Sequence, residues 1–424
     1  MAAGGLSSDR GVGSTEPRSS AGAGSACAGA QDRLQRYAEL VVKVGANVQP
    51  GQLVDVRADI DHLDLTREVV RAAYRAGAAF VDVRYIDPHI RRALIEHAAD
   101  DMLSWTPPWL LKREQGFGDE RAAIIALVGD AEPDLLADLP GDRVGRARMI
   151  ELAEEGTRQV NEQLNNWVVI GVPNAGWANQ MFGEPDLERL WKLVEMCVRL
   201  DEDDPVAAWD EHVRRLGDRA RTLDELKIDA LRYGGPGTDL TVGLLPESRW
   251  QGCESFTAEG LRYVANMPTE EVFTTPDARR TEGVVRSTMP LVVYGRIVRG
   301  LEVRFEGGRI VDVQADEGAD VIRGQLGSDE RAAYLGEVAL VDGTSRIGQT
   351  GLTFFETLYD ENARCHIAYG SAYAEAVEGG LIDGVNVSPI HTDFMIGGPD
   401  VDVDAVLRDG TIVPLMRDDR WLVG

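Results

Sequence analysis

From residue 31 onward the chain switches repeatedly between two hydrophobic periods, and the switching predicts an architecture. DRLQRYAELVVKVG (32–45) carries apolar residues at helical spacing and stops at a glycine. QLVDVRA (52–58) reads as a strand, LDLTREVVRAAYRAG (63–77) as a helix with a glycine stop, and AAFVDVRYI (78–86) as an alternating strand. PHIRRALIEHA (88–98) opens a helix with proline in its first turn, where the missing N–H costs nothing. AAIIALVG (122–129) and WVVIGVP (167–173) are short apolar runs that read as buried strands. The stretches 149–164 and 184–200 return to helical spacing. Strands alternating with helices of this length argue for βαβ units, hence an α/β N-terminal domain over 31–230 with a largely parallel sheet.

The texture changes after about residue 230. ALRYGGPGTDLTVGL (230–244) is a Gly/Pro-rich joint running into a strand. LVVYGRIVRGLEVRFEGGRIVDVQAD (291–316) gives three short alternating strands, with Gly300 and the pair Gly307–Gly308 where hairpin turns fall. RDGTIVPLMRDDRWLVG (408–424) closes the chain as a hairpin. Residues 231–424 therefore read as a β-rich α+β C-terminal domain with short inserted helices. Residues 1–30 are rich in Gly, Ser and Ala, cannot bury enough surface to fold, and are expected to form a disordered tail.

Composition narrows the function classes. The chain has 424 residues, enough for two domains or three, with 44% hydrophobic and 27% charged residues. A formal net charge of −27 argues against nucleic acid and against anionic membrane surfaces. No apolar run approaches the ~18–20 residues of a membrane span, and the N-terminus lacks the apolar core of a secretory signal. The four cysteines, Cys27, Cys197, Cys253 and Cys365, show no C-x-x-C pair and read as reduced thiols. A cytoplasmic location is the resulting expectation. Neither G-x-x-x-x-G-K-S/T nor G-x-G-x-x-G follows the first strand, so no phosphate cradle is expected.

The candidate chemistry lies in the C-terminal half. Of the six histidines, His62, His89, His97 and His212 read as surface or capping residues. ENARCHIAYGSAY (361–373) carries Glu361, His366 and Tyr373, and SPIHTDFMIG (388–397) carries His391 and Asp393. Strand alternation puts His391 and Asp393 on one face, where imidazole and carboxylate can converge on a divalent cation. From H-x-D alone, a buried His–Asp hydrogen bond is the more ordinary reading. The surrounding acids change that balance. NMPTEEVFTTP holds Glu270 and Glu271 between prolines, Glu337 interrupts the apolar run AYLGEVALV, and Glu356, Asp360 and Glu361 precede His366. Carboxylates in such company are costly to bury without a compensating cation. Carboxylates with two histidines and no thiolate suit a two-metal site for amide hydrolysis, with a further carboxylate to carry the proton.

These segments also carry a resemblance. NMPTEEVFTTP, LGEVALV, TLYDENARCHIAYGSAY and NVSPIHTDFMIG together resemble the motifs of the thermophilic aminopeptidase family of metallopeptidases, the aminopeptidase T and AmpS type, from about residue 31 onward. The resemblance implies Glu271, Glu337 (bridging), His366, His391 and Asp393 as metal ligands. It places Tyr373 near or on a metal and Glu361 as a further acidic ligand. Glu270 is assigned as general base by analogy with other two-metal aminopeptidases. The family further implies two divalent ions per chain (zinc, cobalt or magnesium), peptide substrates with a free N-terminus, and a cytoplasmic homodimer. Two alternatives remain open: a two-metal hydrolase of another bond, such as a phosphoester, and a metal-stabilised protein without enzymatic activity.

Overall fold

The computed structural model describes residues 21–423, with side chains from residue 29. Of the expected tail 1–30, residues 1–20 lie outside the described residues, whereas 21–30 open the helix Ala21–Leu40. Alanine supplies five of the first ten residues of that helix and is the strongest helix former, which offsets its three glycines.

Four strands, Leu53–Asp59, Phe80–Ile86, Ala123–Val128 and Trp167–Gly171, form the parallel sheet that the N-terminal pattern predicts. A fifth strand, Asn266–Met267, adds in parallel beside Trp167–Gly171. The first two residues of NMPTEEVFTTP are thus part of the N-terminal sheet, and the two halves of the chain share one hydrophobic core. The helices Leu63–Arg75, Pro88–His97, Ile150–Asn161 and Leu187–Cys197 fall where the apolar spacing puts them. Asp87 caps Pro88–His97 by accepting from the His89 amide. Four further helices interrupt the pattern, the longest being Pro205–Leu226. Asp204 and Pro205 are its start signal, with the aspartate capping and proline at the first turn.

The C-terminal half is antiparallel. An eight-stranded sheet begins at Ile228–Gly235 and ends at Arg420–Trp421. The Gly/Pro joint at 235–237 is a hairpin turn between Ile228–Gly235 and Thr238–Leu244, which pair directly. The segment 291–316 gives four strands, because Tyr294 and Gly295 make an extra turn between Leu291–Val293 and Arg296–Val298. Gly307 and Gly308 form the expected turn between Glu302–Glu306 and Arg309–Gln314.

A second, four-stranded antiparallel sheet carries the candidate motifs in the order Glu271–Thr274, Leu335–Val341, His366–Gly370, His391–Met395. An aromatic cluster ties it to the parallel sheet. Trp177 donates its indole N–H to the Phe354 carbonyl at 2.6 Å and packs edge-on against Tyr359, which stacks on Phe354. Asp360 accepts from the Phe354 amide at 2.7 Å and closes the turn that leads into Glu361 and His366. Among the described residues no helix is long and apolar enough to cross a membrane, and Cys197, Cys253 and Cys365 are buried and unbridged.

Candidate metal centre

Register explains why the motif residues meet. Glu337 lies opposite Ala368, and Ala368 opposite Asp393. One row away Phe273 lies opposite Ala339, Ala339 opposite His366, and Gly370 opposite His391. Because side chains alternate along a strand, this register puts Glu271, Glu337, His366, His391 and Asp393 on a single face. Ala339, Ala368 and Gly370 lie among them and leave the face open. Gly370 has φ +102°, and a methyl group there would collide with the Ile390 carbonyl oxygen. The opposite face is apolar: Val272, Val338, Leu340, Ile367, Tyr369 and Phe394 are fully buried and hold the strands in place. Glu337 is therefore not at an edge. It sits on an interior strand at 4% exposure, and such a carboxylate needs a partner.

The partners form two overlapping groups. Glu271, Glu337 and His366 offer ligand atoms within 4.8 Å of one another, and so do Glu337, His391 and Asp393. Glu337 belongs to both. His366 Nε2 is 3.0 Å from Glu271 Oε2 and 3.6 Å from Glu337 Oε1, while His391 Nε2 is 3.4 Å from both Glu337 Oε2 and Asp393 Oδ1. Each imidazole is oriented from behind. His391 Nδ1 meets the Ser371 carbonyl at 2.7 Å and His366 Nδ1 meets the Arg364 carbonyl at 3.2 Å. A proton on each Nδ1 leaves both Nε2 lone pairs aimed at the carboxylates, the tautomer that metal ligation requires.

The electrostatics have the same sense. Burial opposes ionisation of Glu337, but His366 and His391 outweigh it and bring the carboxyl down to about 2. Burial pushes Glu271 upward against the opposing effect of His366. Burial alone would lower both imidazoles, yet the carboxylates hold them well above the usual histidine value. Glu271 Oε2 is buried without a hydrogen-bond partner, its approach to His366 lacking hydrogen-bond geometry. An orphaned buried carboxylate oxygen, beside imidazole lone pairs and with no thiolate, fits a divalent cation.

A cavity of about 70 Å³ opens over this face, lined also by Tyr373, Glu361, Glu375 and Ser255. Tyr373 packs between Phe273 and His391, with ring centroids 5.7 and 5.0 Å away. Burial, then Glu337 and Asp393, push its phenol well up. Glu361 stands on the cavity wall outside both ligand groups, and burial, then Asp393 and Glu271, push its carboxyl well up. Glu375 accepts from Ser255 Oγ at 3.1 Å, and burial lifts it to about 7. The sequence signal for Glu375 is an acid two residues beyond Tyr373, in the segment that leads to Gly379 and Gly380.

Glu270 requires correction. It does not line the cavity. Adjacent residues of an extended segment point to opposite sides, and Glu270 turns away from the metal face to meet Arg199 Nη2 at 2.7 Å, both side chains being buried. Its amide donates to Asn362 Oδ1 at 2.6 Å. One histidine, His212, also differs from the sequence reading. His212 is 2% exposed, with Nε2 2.7 Å from the Thr269 carbonyl, and the capping residue His62 is buried against the Gly129 carbonyl at 2.9 Å. Glu356 and Asp360 lie outside both ligand groups.

Comparison with known proteins accords with this geometry. The profile of thermophilic metalloproteases (M29) matches residues 30–421. The chain belongs to that family. Aminopeptidase T of Thermus aquaticus is 42% identical over 404 residues, covering 92% of this chain and 99% of that protein. Aminopeptidase AmpS of Bacillus subtilis (strain 168) is 38% identical, covering 92% and 98%. The solved structure of wild-type AmpT from Thermus thermophilus superposes with a TM-score of 0.83 at 39% identity, covering 93% of this chain and all of that one. The M29 fold thus unites a parallel sheet with helices and the antiparallel C-terminal sheets. The family match begins at residue 30, at the edge of the low-complexity segment.

Proposed function

We propose that this M29 member is a metal-dependent aminopeptidase that removes N-terminal residues from peptides, using two divalent ions per chain held on the two overlapping ligand groups. The observation that carries the reading is the shared position of Glu337 between Glu271/His366 and His391/Asp393. A carboxylate in both groups suits bridging, with the imidazoles and outer carboxylates as terminal ligands. When bound, zinc, cobalt or magnesium at such a site would acidify water and polarise a carbonyl. A cytoplasmic homodimer completes the reading.

The chain's own groups suit the remaining tasks. Glu361 faces the cavity but is not needed to complete either ligand group, and a carboxyl group so placed suits a proton carrier between water and the leaving amine. It replaces Glu270 in that role. Glu375 adds a second acid to the wall, which suits an α-ammonium group. Tyr373 lines the cavity beside His391 and gives the substrate an aromatic wall.

The test is a peptide-cleavage screen on metal-stripped enzyme after return of zinc, cobalt or magnesium. Stepwise release of N-terminal residues from free-amine peptides, with N-acetylated versions resistant, is expected. Cleavage of the acetylated peptides at equal rates, or full activity without metal, would contradict the reading. Glu361→Gln is expected to lower kcat by about 10²–10⁴-fold while metal content stays at the wild-type level. Unchanged kcat would remove Glu361 from proton transfer.

A further inference from the structure

The metal cavity adjoins a second, larger one. His391 and Tyr373 line both, and the second has a volume of about 510 Å³ and reaches into the N-terminal half. Its far wall carries Arg57, Arg84 and Arg148, with Glu114 as its one carboxylate. Three guanidinium groups around one cavity stand out in a chain of net charge −27.

The strands explain the clustering. Arg57 and Arg84 are register neighbours on parallel strands, near the carboxyl ends where open α/β sheets bind ligands. The nearby acids are already engaged. Arg57 takes Asp55 at 2.6 Å and Glu114 at 2.5 Å, and Arg113 takes Asp82 at 2.7 Å and Asp55 at 3.2 Å. Arg84 is left over, and its Nε is buried without a hydrogen-bond partner. Burial and the neighbouring Arg57 charge push the Arg84 guanidinium down from its ordinary value. Arg148 donates to the Tyr294 hydroxyl at 3.0 Å. A guanidinium on the wall of a cavity, with a buried Nε that has no acceptor, is a site for a planar anion.

We propose that this cavity binds a carboxylate of the peptide being cleaved, with Arg84 as its principal contact and Arg57 and Arg148 beside it. The proposal rests on the aminopeptidase reading and adds a substrate class to it: short peptides whose carboxylate lies within reach of the metal face. The carboxylate is either the peptide's C-terminus or an acidic side chain, and the same arginines serve both.

The experiment compares kcat/KM for Leu-Gly-Gly with its C-terminal amide, and for Leu-Glu-amide with Leu-Gln-amide, using leucine p-nitroanilide as a substrate without carboxylate. In the wild type at least one carboxylate substrate is expected to exceed its neutral counterpart by about tenfold or more, through KM. Preference in the first pair assigns the C-terminus, and preference in the second assigns a side chain. Arg84→Gln is expected to bring the preferred ratio close to one, and Arg84→Lys to restore part of it. Arg148→Gln is expected to reduce the ratio as well. Equal kcat/KM within both wild-type pairs would overturn the proposal alone, as would an Arg84→Gln loss equal on acid, amide and anilide. No cleavage of the anilide by metal-loaded wild type would overturn the aminopeptidase reading and the proposal with it.

Discussion

Glu337→Gln is expected to lower peptidase activity by about 10²–10³-fold or more and to reduce bound metal in the same preparation. The side chain keeps its size but loses its charge, and an amide nitrogen replaces one of two oxygens shared between the ligand groups. Glu271 and His366 on one side, and His391 and Asp393 on the other, each lose the ligand that completes three. The effect is therefore larger than for Asp393 or Glu271, which each belong to a single group. The apolar back of the sheet is untouched, so the variant is expected to fold. Inductively coupled plasma mass spectrometry and leucine p-nitroanilide turnover provide the readouts. Wild-type metal content with activity within tenfold of wild type would show that Glu337 is not shared between ions.

Arg199→Met is expected to destabilise the fold by about 3–5 kcal/mol, because it strands the Glu270 carboxylate in a buried position. Arg199 also stacks over Trp209, with 5.1 Å to the ring centroid, and donates to the Cys197 carbonyl at 3.3 Å. The double variant Arg199→Met/Glu270→Gln removes both charges and is expected to recover part of the loss. Glu270→Gln alone is expected to unfold more readily yet retain kcat within a few-fold per folded molecule. Denaturant melts read the first effect and active-site-normalised turnover the second. A hundredfold fall in kcat without loss of stability would return Glu270 to the chemistry.

This pair of neighbouring glutamates shows what the sequence could and could not disclose. TEEVFT announces two acids in an extended segment, and alternation alone requires that only one face the metal. It does not say which, because that depends on a partner, Arg199, 71 residues earlier. His391 and Asp393 were legible because both lie on one strand with a spacing of two. Their meeting with Glu271, Glu337 and His366 depends on register across four strands, which only the family resemblance could supply. The alternating N-terminal strands and helices were legible for the same local reason. Asn266–Met267 was not, since a two-residue strand has no period to read. His212 looked solvent-facing because its acceptor, the Thr269 carbonyl, lies in a distant segment. The arginine-lined cavity was invisible for the same cause: Arg57, Arg84 and Arg148 are scattered in sequence and meet the metal face only in the folded chain.

An anomalous diffraction map of metal-loaded crystals, recorded at the absorption edge of the bound ion, bears most directly on the shared centre. Two peaks are expected per chain, one against Glu271 and His366 and the other against His391 and Asp393, with Glu337 reaching both. A single peak, or peaks away from Glu337, would contradict the dinuclear account.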